Sequence, residues 1–433
     1  MILPFLFLLL LLGSCSAVDV QVGPEDTPAG AVILVVDGLG ASYVYPEHSA
    51  YALDGTPLGG AVLFNLTGGG ARAVDVRVPV PETSKSHSIL VTGSSSTDPE
   101  ALGPTIFDAA REKGYFCLAV LERGDSMAVL QEQDAVLYLD NNALHGAEPI
   151  PGFKEGVPQG LRSLFQEWRD RFADYTAMQG LAGYKGYNQW GLEAAADIVE
   201  HLAGRRFLML VNVGAVDSAG QNLGIEGYLE TVAALDAPLG KLAEACRKNG
   251  AILAVTADHG MSFPAAKGKG GHSAVKYAGR LESLRVPLVF LGPGVEELNL
   301  GGGWSEVDIA PSVLDLLGIS RNLSAEGRSL PIKKSYSLRI TGAPGAVSLS
   351  RDGKPLANAS GDEVYNFRGL ARGLYTIEGS GRSQEVLVNG DRVLDLAGKG
   401  ADYADFRKIL GLILILCINL TGILLIIRIW RKG

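Results

Sequence analysis

Cysteine is nearly absent from this chain, with four residues in 433, too few and too scattered for a disulfide framework. Cys117 falls in the apolar run FCLAVL and Cys246 on the apolar side of a helical stretch, so both read as small buried hydrophobes. No long basic run precedes the C-terminus and the formal net charge is −9, which excludes a nucleic-acid polymer as the main partner. Histidine is scarce at six residues. Two of the six, His259 and His272, stand thirteen positions apart in 254-AVTADHGMSFPAAKGKGGHSAV-275.

Glycine, in contrast, is abundant at 56 residues, and 433 residues are enough for two or three domains with a large core. Residues 1–17 carry an apolar run followed by small residues, the pattern of a secretory signal, although a basic n-region is missing. Leu12-Gly13-Ser14-Cys15 also has the form of a lipobox with Cys15 as acceptor. Residues 409–427, ILGLILILCINLTGILLII, hold no charge and are long enough to cross a bilayer. Basic residues flank this run, and with the leader they predict a single-pass cell-membrane protein whose body lies outside the cytoplasm. Asn65, Asn322 and Asn358 open glycosylation sequons.

Between these ends, short β-branched runs alternate with helical patterns: 31-AVILVV, 116-FCLAVL, 134-DAVLYL, 207-FLMLVNV, 251-AILAVT and 286-VPLVFL. They predict an α/β domain over residues 28–332, a mostly parallel sheet covered by helices on both faces. Residues 104–113 and 308–317 read as helices. So does 228–250, with a kink expected at Pro238. From 335 to 398 the runs shorten and alternate, and Arg351-Asp352-Gly353-Lys354 signals a hairpin, which predicts a small β-sandwich.

Polar residues collect at the ends of the strand runs. Asp37 follows AVILVV, Asp217 comes shortly after FLMLVNV, and Asp258 and His259 follow AILAVT. In open α/β sheets, ligands bind at the carboxyl ends of the strands. Three carboxylates converging there would repel one another unless one or two cations lay between them. A single Asp after a strand is more often a turn or cap residue; the ordered set is harder to explain that way. The stretch 81-PETSKSHSILVTG-93 adds hydroxyls, a lysine and a histidine ahead of a helix, whose N-terminus favours anions.

These stretches resemble the alkaline phosphatase superfamily, most closely its type I phosphodiesterase and nucleotide pyrophosphatase branch. The matching segments are VVDGLG, PETSKSHSILVTG, VDSAGQ, TADHGM, GKGGHS and VDIAPSVLDLLGI, in the superfamily's order. The resemblance implies an alkaline-phosphatase-like fold. It further implies that Asp37, Asp258, His259 and the nucleophile Thr83 bind one divalent ion, and Asp217 and His272 another. Ser84 is the second choice of nucleophile. In the phosphodiesterase branch a histidine stands four positions after Asp217; this chain has Gln221 there, a poorer zinc ligand. Two ions are therefore expected, zinc by preference, with manganese, magnesium or calcium suited to the Asp217/His272 site. Lys85 and His87 would contact the phosphate or the leaving group. The expected activity is phosphodiester hydrolysis through a phospho-threonine intermediate, on a nucleotide, lipid head group or envelope glycan. The sulfatases of the same fold oxidise a Cys or Ser followed by Pro and Arg, and TSKSH offers neither the aldehyde precursor nor that context. The rival readings are a phospho-alcohol transferase of the cell envelope and a non-catalytic surface binding protein with a degenerate second site.

Overall fold

The computed structural model describes residues 17–63, 69–122, 127–139, 148–319, 323, 325–361 and 363–397. The leader, Cys15, the run 409–427, Asn65 and Asn322 lie outside the described residues. No helix among the described residues is long and apolar enough to cross a membrane.

The chain divides into two compact units. One is Asp26–Lys334; the other joins the residues before it to those from Ser335 onward. The N-terminal strand β1 (Val18–Gln21) belongs to the second unit. It was not expected, because four residues of mixed polarity carry almost no strand signal.

The larger unit is built on a nine-stranded sheet. In chain order its strands are β2 (Gly30–Val36), β3 (Ala71–Arg77), β4 (Phe116–Leu121), β5 (Ala135–Tyr138), β6 (Ile150–Phe153), β7 (Phe207–Val213), β8 (Ala251–Thr256), β9 (Arg285–Leu291) and β10 (Leu298–Ser305). Across the sheet they run β10-β3-β9-β8-β2-β7-β4-β5-β6. The middle five, from β8 to β5, are parallel. Every residue of β2, β7 and β8 is buried, as continuous apolar runs in a covered parallel sheet must be.

The sheet is mostly parallel, as expected, but not throughout. VPLVFL forms a strand, but β9 runs antiparallel to β8, and β3 antiparallel to β9. The reason is the connection. Only two four-residue helices, Val275–Ala278 and Leu281–Leu284, lie between β8 and β9, too little for the crossover that a parallel neighbour needs. The strands β3, β6 and β10 carry charge or glycine at the outer part of the sheet and escaped the apolar criterion.

Helices Thr83–Thr92, Ile106–Glu112 and Ile309–Leu316 form one packed group; Gln159–Thr176, Gly180–His201 and Asp236–Lys248 form another. The stretch read as one helix kinked at Pro238 is two: the end of Ala215–Ala234, which is itself kinked at Gly224 (φ 75°, ψ −165°), and Asp236–Lys248. Pro238 sits in the first turn of the second, where its missing N–H has no intrahelical partner to lose. Cys117 and Cys246 are both buried, and burial pushes each thiol up to about 12.

The second unit has two four-stranded sheets, one antiparallel throughout and one mixed. Its further strands are β11 (Tyr336–Thr341), β12 (Gly345–Arg351), β13 (Lys354–Gly361), β14 (Tyr365–Leu370), β15 (Gly373–Gly379), β16 (Arg382–Val388) and β17 (Arg392–Asp395). The sheet orders are β1-β14-β11-β17 and β13-β12-β15-β16. Leu338, Ile340, Leu349, Phe367 and Ile377 share one core. The expected hairpin is present between β12 and β13, with Asp352 and Gly353 at φ 51° and 74°, the left-handed pair of a type I′ turn. Asn358 is exposed on β13.

Returning to the larger unit, the turn after β2 is clamped by the helix Ala215–Ala234. The Tyr228 hydroxyl donates to Gly38 O at 2.9 Å and accepts from Gly40 N at 3.0 Å. Tyr228→Phe leaves a buried carbonyl and a buried N–H without that partner, a loss of about 1–3 kcal/mol. Urea denaturation should show a lower midpoint at unchanged slope; an unchanged midpoint would contradict this role.

Candidate metal centre

Parallel register explains why the site exists. Val36 of β2 stands opposite Val213 of β7, and Val35 opposite Thr256 of β8. Adjacent strands are about 4.8 Å apart, so the residues that follow them emerge side by side. Asp37 leaves β2, Gly214 and the helix carrying Asp217 leave β7, and Asp258-His259 leave β8. The three carboxylates and His259 are at most 1% exposed.

Each is held by backbone. Asp217 N donates to Asp37 O at 3.0 Å, and Gly38 (φ 81°) brings the turn so close that a Cβ there would lie 2.9 Å from Asp217 Cα. Asp258 Oδ1 accepts from Gly38 N at 3.1 Å and His259 N at 2.9 Å. Its Oδ2 is buried and accepts no hydrogen bond. Burial raises the Asp258 carboxyl above its ordinary value, against the pull of His87.

The two histidines are oriented alike. His259 Nδ1 lies 3.0 Å from Gly260 O and His272 Nδ1 lies 2.7 Å from Pro81 O. A carbonyl only accepts, so each Nδ1 carries the proton and each Nε2 can present a lone pair. His259 Nε2 lies 3.4 Å from both Asp37 Oδ1 and Asp258 Oδ2; His272 Nε2 lies 3.6 Å from Asp217 Oδ1. The rings stack at 3.6 Å. Two overlapping groups therefore have donor atoms within metal-binding reach: Asp37/Asp258/His259 and Asp217/His259/His272. The site fits divalent cations. Hard oxygen donors and imidazole nitrogens meet in a buried place, and the Asp258 oxygen that faces them has no hydrogen bond to satisfy it.

Thr83 opens the helix Thr83–Thr92, and its Oγ1 lies 3.2 Å from His259 Nε2. No side chain caps this helix end. Ser84 is exposed. Lys85 Nζ donates to the Thr97 carbonyl. His87, one turn into the helix, is 2% exposed. Its Nε2 lies 3.7 Å from Asp258 Oδ2 and 3.2 Å from Asn212 Nδ2. It is enclosed beside the Asp258 carboxylate. Gln221 does meet the centre: its Nε2 lies 3.0 and 2.9 Å from the two Asp217 oxygens.

Three supporting residues were missed. Glu122 follows β4 directly, and its Oε2 accepts from Gly214 N at 2.9 Å; Asn188 Oδ1 accepts from Ala215 N at 2.9 Å. With the Asp37 carbonyl they satisfy the first N–H groups of the helix that carries Asp217. The strand-end rule that singled out Asp37 applies equally to Glu122. Glu306, fully buried, has Oε2 2.9 Å from Ser86 Oγ, which also bonds the Asp258 carbonyl. One hydroxyl proton cannot serve both acceptors, so a protonated Glu306 completes the chain.

A family model described as the Metalloenzyme superfamily matches residues 170–321, the stretch that holds Asp217, Gln221, Asp258, His259 and His272. Among curated proteins, the 2,3-bisphosphoglycerate-independent phosphoglycerate mutase of Gloeobacter violaceus is 27% identical over 168 residues, 36% of this chain and 30% of that protein. The enzyme of the same name from Pseudomonas syringae pv. syringae is 30% identical over 134 residues, 31% of this chain and 25% of that protein. The chain thus spans less than a third of the length of either relative. The crystal structure of alkaline phosphatase PafA superposes with a TM-score of 0.52 at 14% identity, covering 71% of this chain and 98% of that one. Residues 170–321 thus resemble the Metalloenzyme superfamily, and the fold is like that of alkaline phosphatase. The superfamily's members are metal-dependent enzymes acting on phosphate or sulfate esters.

Burial raises the Glu306 carboxyl well above its usual value, opposed by the Ser86 hydrogen bond. In the metal-stripped chain, folding therefore retains a proton that the unfolded chain loses near pH ~4.3. The associated stability is full below that pH and is lost as pH rises towards the folded value. Glu306→Gln cannot ionise and can still donate to Ser86. Urea denaturation should show it losing less stability than wild type between about pH 5 and about pH 8; an identical pH dependence would contradict the protonated state.

Proposed function

We propose that the protein is a metal-dependent phosphoesterase of the cell surface, acting on phosphodiesters with Thr83 as nucleophile. The observation that carries this is the position of Thr83 Oγ1, 3.2 Å from His259 Nε2 at the edge of both donor groups. Asp37, Asp258, His259 and Thr83 would hold one divalent ion, and Asp217, His272 and Gln221 the other. When bound, such ions supply Lewis acidity: they favour the alkoxide of the nucleophile and neutralise charge on the phosphoryl oxygens.

The chain's own residues do the rest. Thr83 Oγ1 attacks phosphorus and gives its hydroxyl proton to water, the bond to the leaving oxygen breaks, and that oxygen takes a proton from water and departs as the alcohol, so the phosphoryl group rests on Thr83. Water then cleaves the phospho-threonine and restores the hydroxyl. The uncapped start of the helix Thr83–Thr92 offers backbone N–H groups beside the reacting oxygen. Ser86, bonded to Glu306, holds the Asp258 backbone carbonyl, and His87, beside Asn212, stands 3.7 Å from the Asp258 carboxylate. A threonine at the attacking position favours phosphate over sulfate esters, since it cannot supply the aldehyde that sulfate ester hydrolysis uses in this fold.

The apolar run at 409–427 and the leader support a membrane-tethered body facing outward, with nucleotides, lipid head groups or envelope glycans as available substrates. A second reading is transfer of the same phosphoryl group to an alcohol instead of water. The mutase names of the curated relatives favour it.

Purified full-length protein supplied with zinc and manganese should turn over a phosphodiester model substrate faster than a phosphomonoester or a sulfate ester. Under the transfer reading an added alcohol acceptor should raise total turnover and take most of the product; under hydrolysis it should only compete with water for the phospho-threonine. Thr83→Ala should lower kcat at least about 10³-fold while bound metal, measured by mass spectrometry, stays near the wild-type amount. Full activity in that variant would remove Thr83 as nucleophile.

A further inference from the structure

The two donor groups are unequal. Asp37, Asp258 and His259 bring two carboxylates and an imidazole. The other group brings one carboxylate, Asp217, one imidazole, His272, and His259 again. An Nε2 atom has a single lone pair. Once His259 serves the ion beside Asp37 and Asp258, the second position keeps only Asp217 and His272.

Gln221 stands where a third donor is needed. It lies one helical turn beyond Asp217 and is half-buried, with its Nε2 within 3.0 Å of both carboxylate oxygens. In this orientation the amide donates, and it caps the Asp217 charge. An amide nitrogen has no lone pair for a cation, whereas the amide oxygen has two. Rotation about the last side-chain bond exchanges the two atoms in the same space. The oxygen is a hard, neutral ligand that suits manganese, magnesium or calcium, and it is weaker than imidazole towards zinc. The position therefore has a closed form, with the amide on Asp217, and a form able to hold a hard cation.

We propose that Gln221 makes the Asp217–His272 position an exchangeable site for a hard divalent cation, manganese first, while Asp37, Asp258 and His259 retain a resident ion. Turning of the amide couples occupancy to the cation supply around the protein, so the second ion acts as a regulator. Manganese forms the weakest complexes of the first-row divalent series, as reversible occupancy requires, and its remaining imidazole separates this site from an all-oxygen calcium cage. This inference deepens the reading above and rests on its two-ion centre.

The test is a titration of the metal-stripped full-length chain with zinc and with manganese, followed by calorimetry and by the electron paramagnetic resonance of free manganese. Wild type should bind one tight zinc equivalent and, in its presence, one manganese equivalent at least about 10-fold more weakly. Gln221→His should tighten a second zinc by about 10-fold or more. Gln221→Glu should tighten manganese and slow its exchange, and Gln221→Leu should lose manganese while keeping the tight zinc. Two equally tight zinc equivalents in wild type would overturn the proposal. So would a Gln221→His protein with unchanged second-site zinc affinity, or a Gln221→Glu protein with unchanged manganese affinity. Ester turnover is read separately. Equal sites with normal turnover defeat this inference and spare the phosphoesterase reading; unequal sites without turnover do the reverse.

Discussion

Three buried carboxylates at the ends of adjacent parallel strands are the constraint on which the larger unit depends. Asp37, Asp217 and Asp258 are each at most 1% exposed. Burying one charge costs several kcal/mol, and mutual repulsion adds to it. The fold meets that cost with backbone first. Gly38 and His259 N–H groups bond Asp258, and Glu122, Asn188 and the Asp37 carbonyl satisfy the start of the helix that carries Asp217. What the protein does not supply is a hydrogen-bond donor to Asp258 Oδ2. Divalent cations would answer that need, in line with the match of residues 170–321 to the Metalloenzyme superfamily.

The histidines are arranged for the same purpose. Both are anchored through Nδ1 to main-chain carbonyls, at Gly260 and Pro81. This leaves both Nε2 atoms directed at the carboxylates, and sets Thr83 beside one of them. Pro81, whose carbonyl accepts from His272, precedes the helix Thr83–Thr92 by only two residues, so the His272 loop and that helix are tied at one point. A shift in either would disturb both the Asp217/His259/His272 group and Thr83 Oγ1.

Much of this was legible in the chain because one rule covers it: a buried apolar run, then a polar residue. That rule located Asp37, Asp217, Asp258 and His259, and it would have located Glu122 had it been applied to FCLAVL. It failed where polarity and position part company. His87 lies one helical turn from Thr83, and sequence spacing alone does not say that this turn is already inside the protein. Glu306 is buried by a 3-10 turn with no periodic signal. The antiparallel course of β9 depends on the path of residues 257–284, which contain no long helix and so no crossover. β1 pairs with a strand almost the whole chain away, Val18 with Tyr365, and nothing local announces it.

The central claim is that Thr83, seated against His259, carries the phosphoryl group during turnover. Acid-quenching the protein during steady-state hydrolysis of a phosphate ester, followed by peptide mass spectrometry, tests it directly. The account predicts one phosphoryl group on the peptide containing Thr83, located on that residue by fragmentation and absent from the Thr83→Ala protein. Continued turnover with no phosphorylated peptide, or with the label on Ser84, would contradict it.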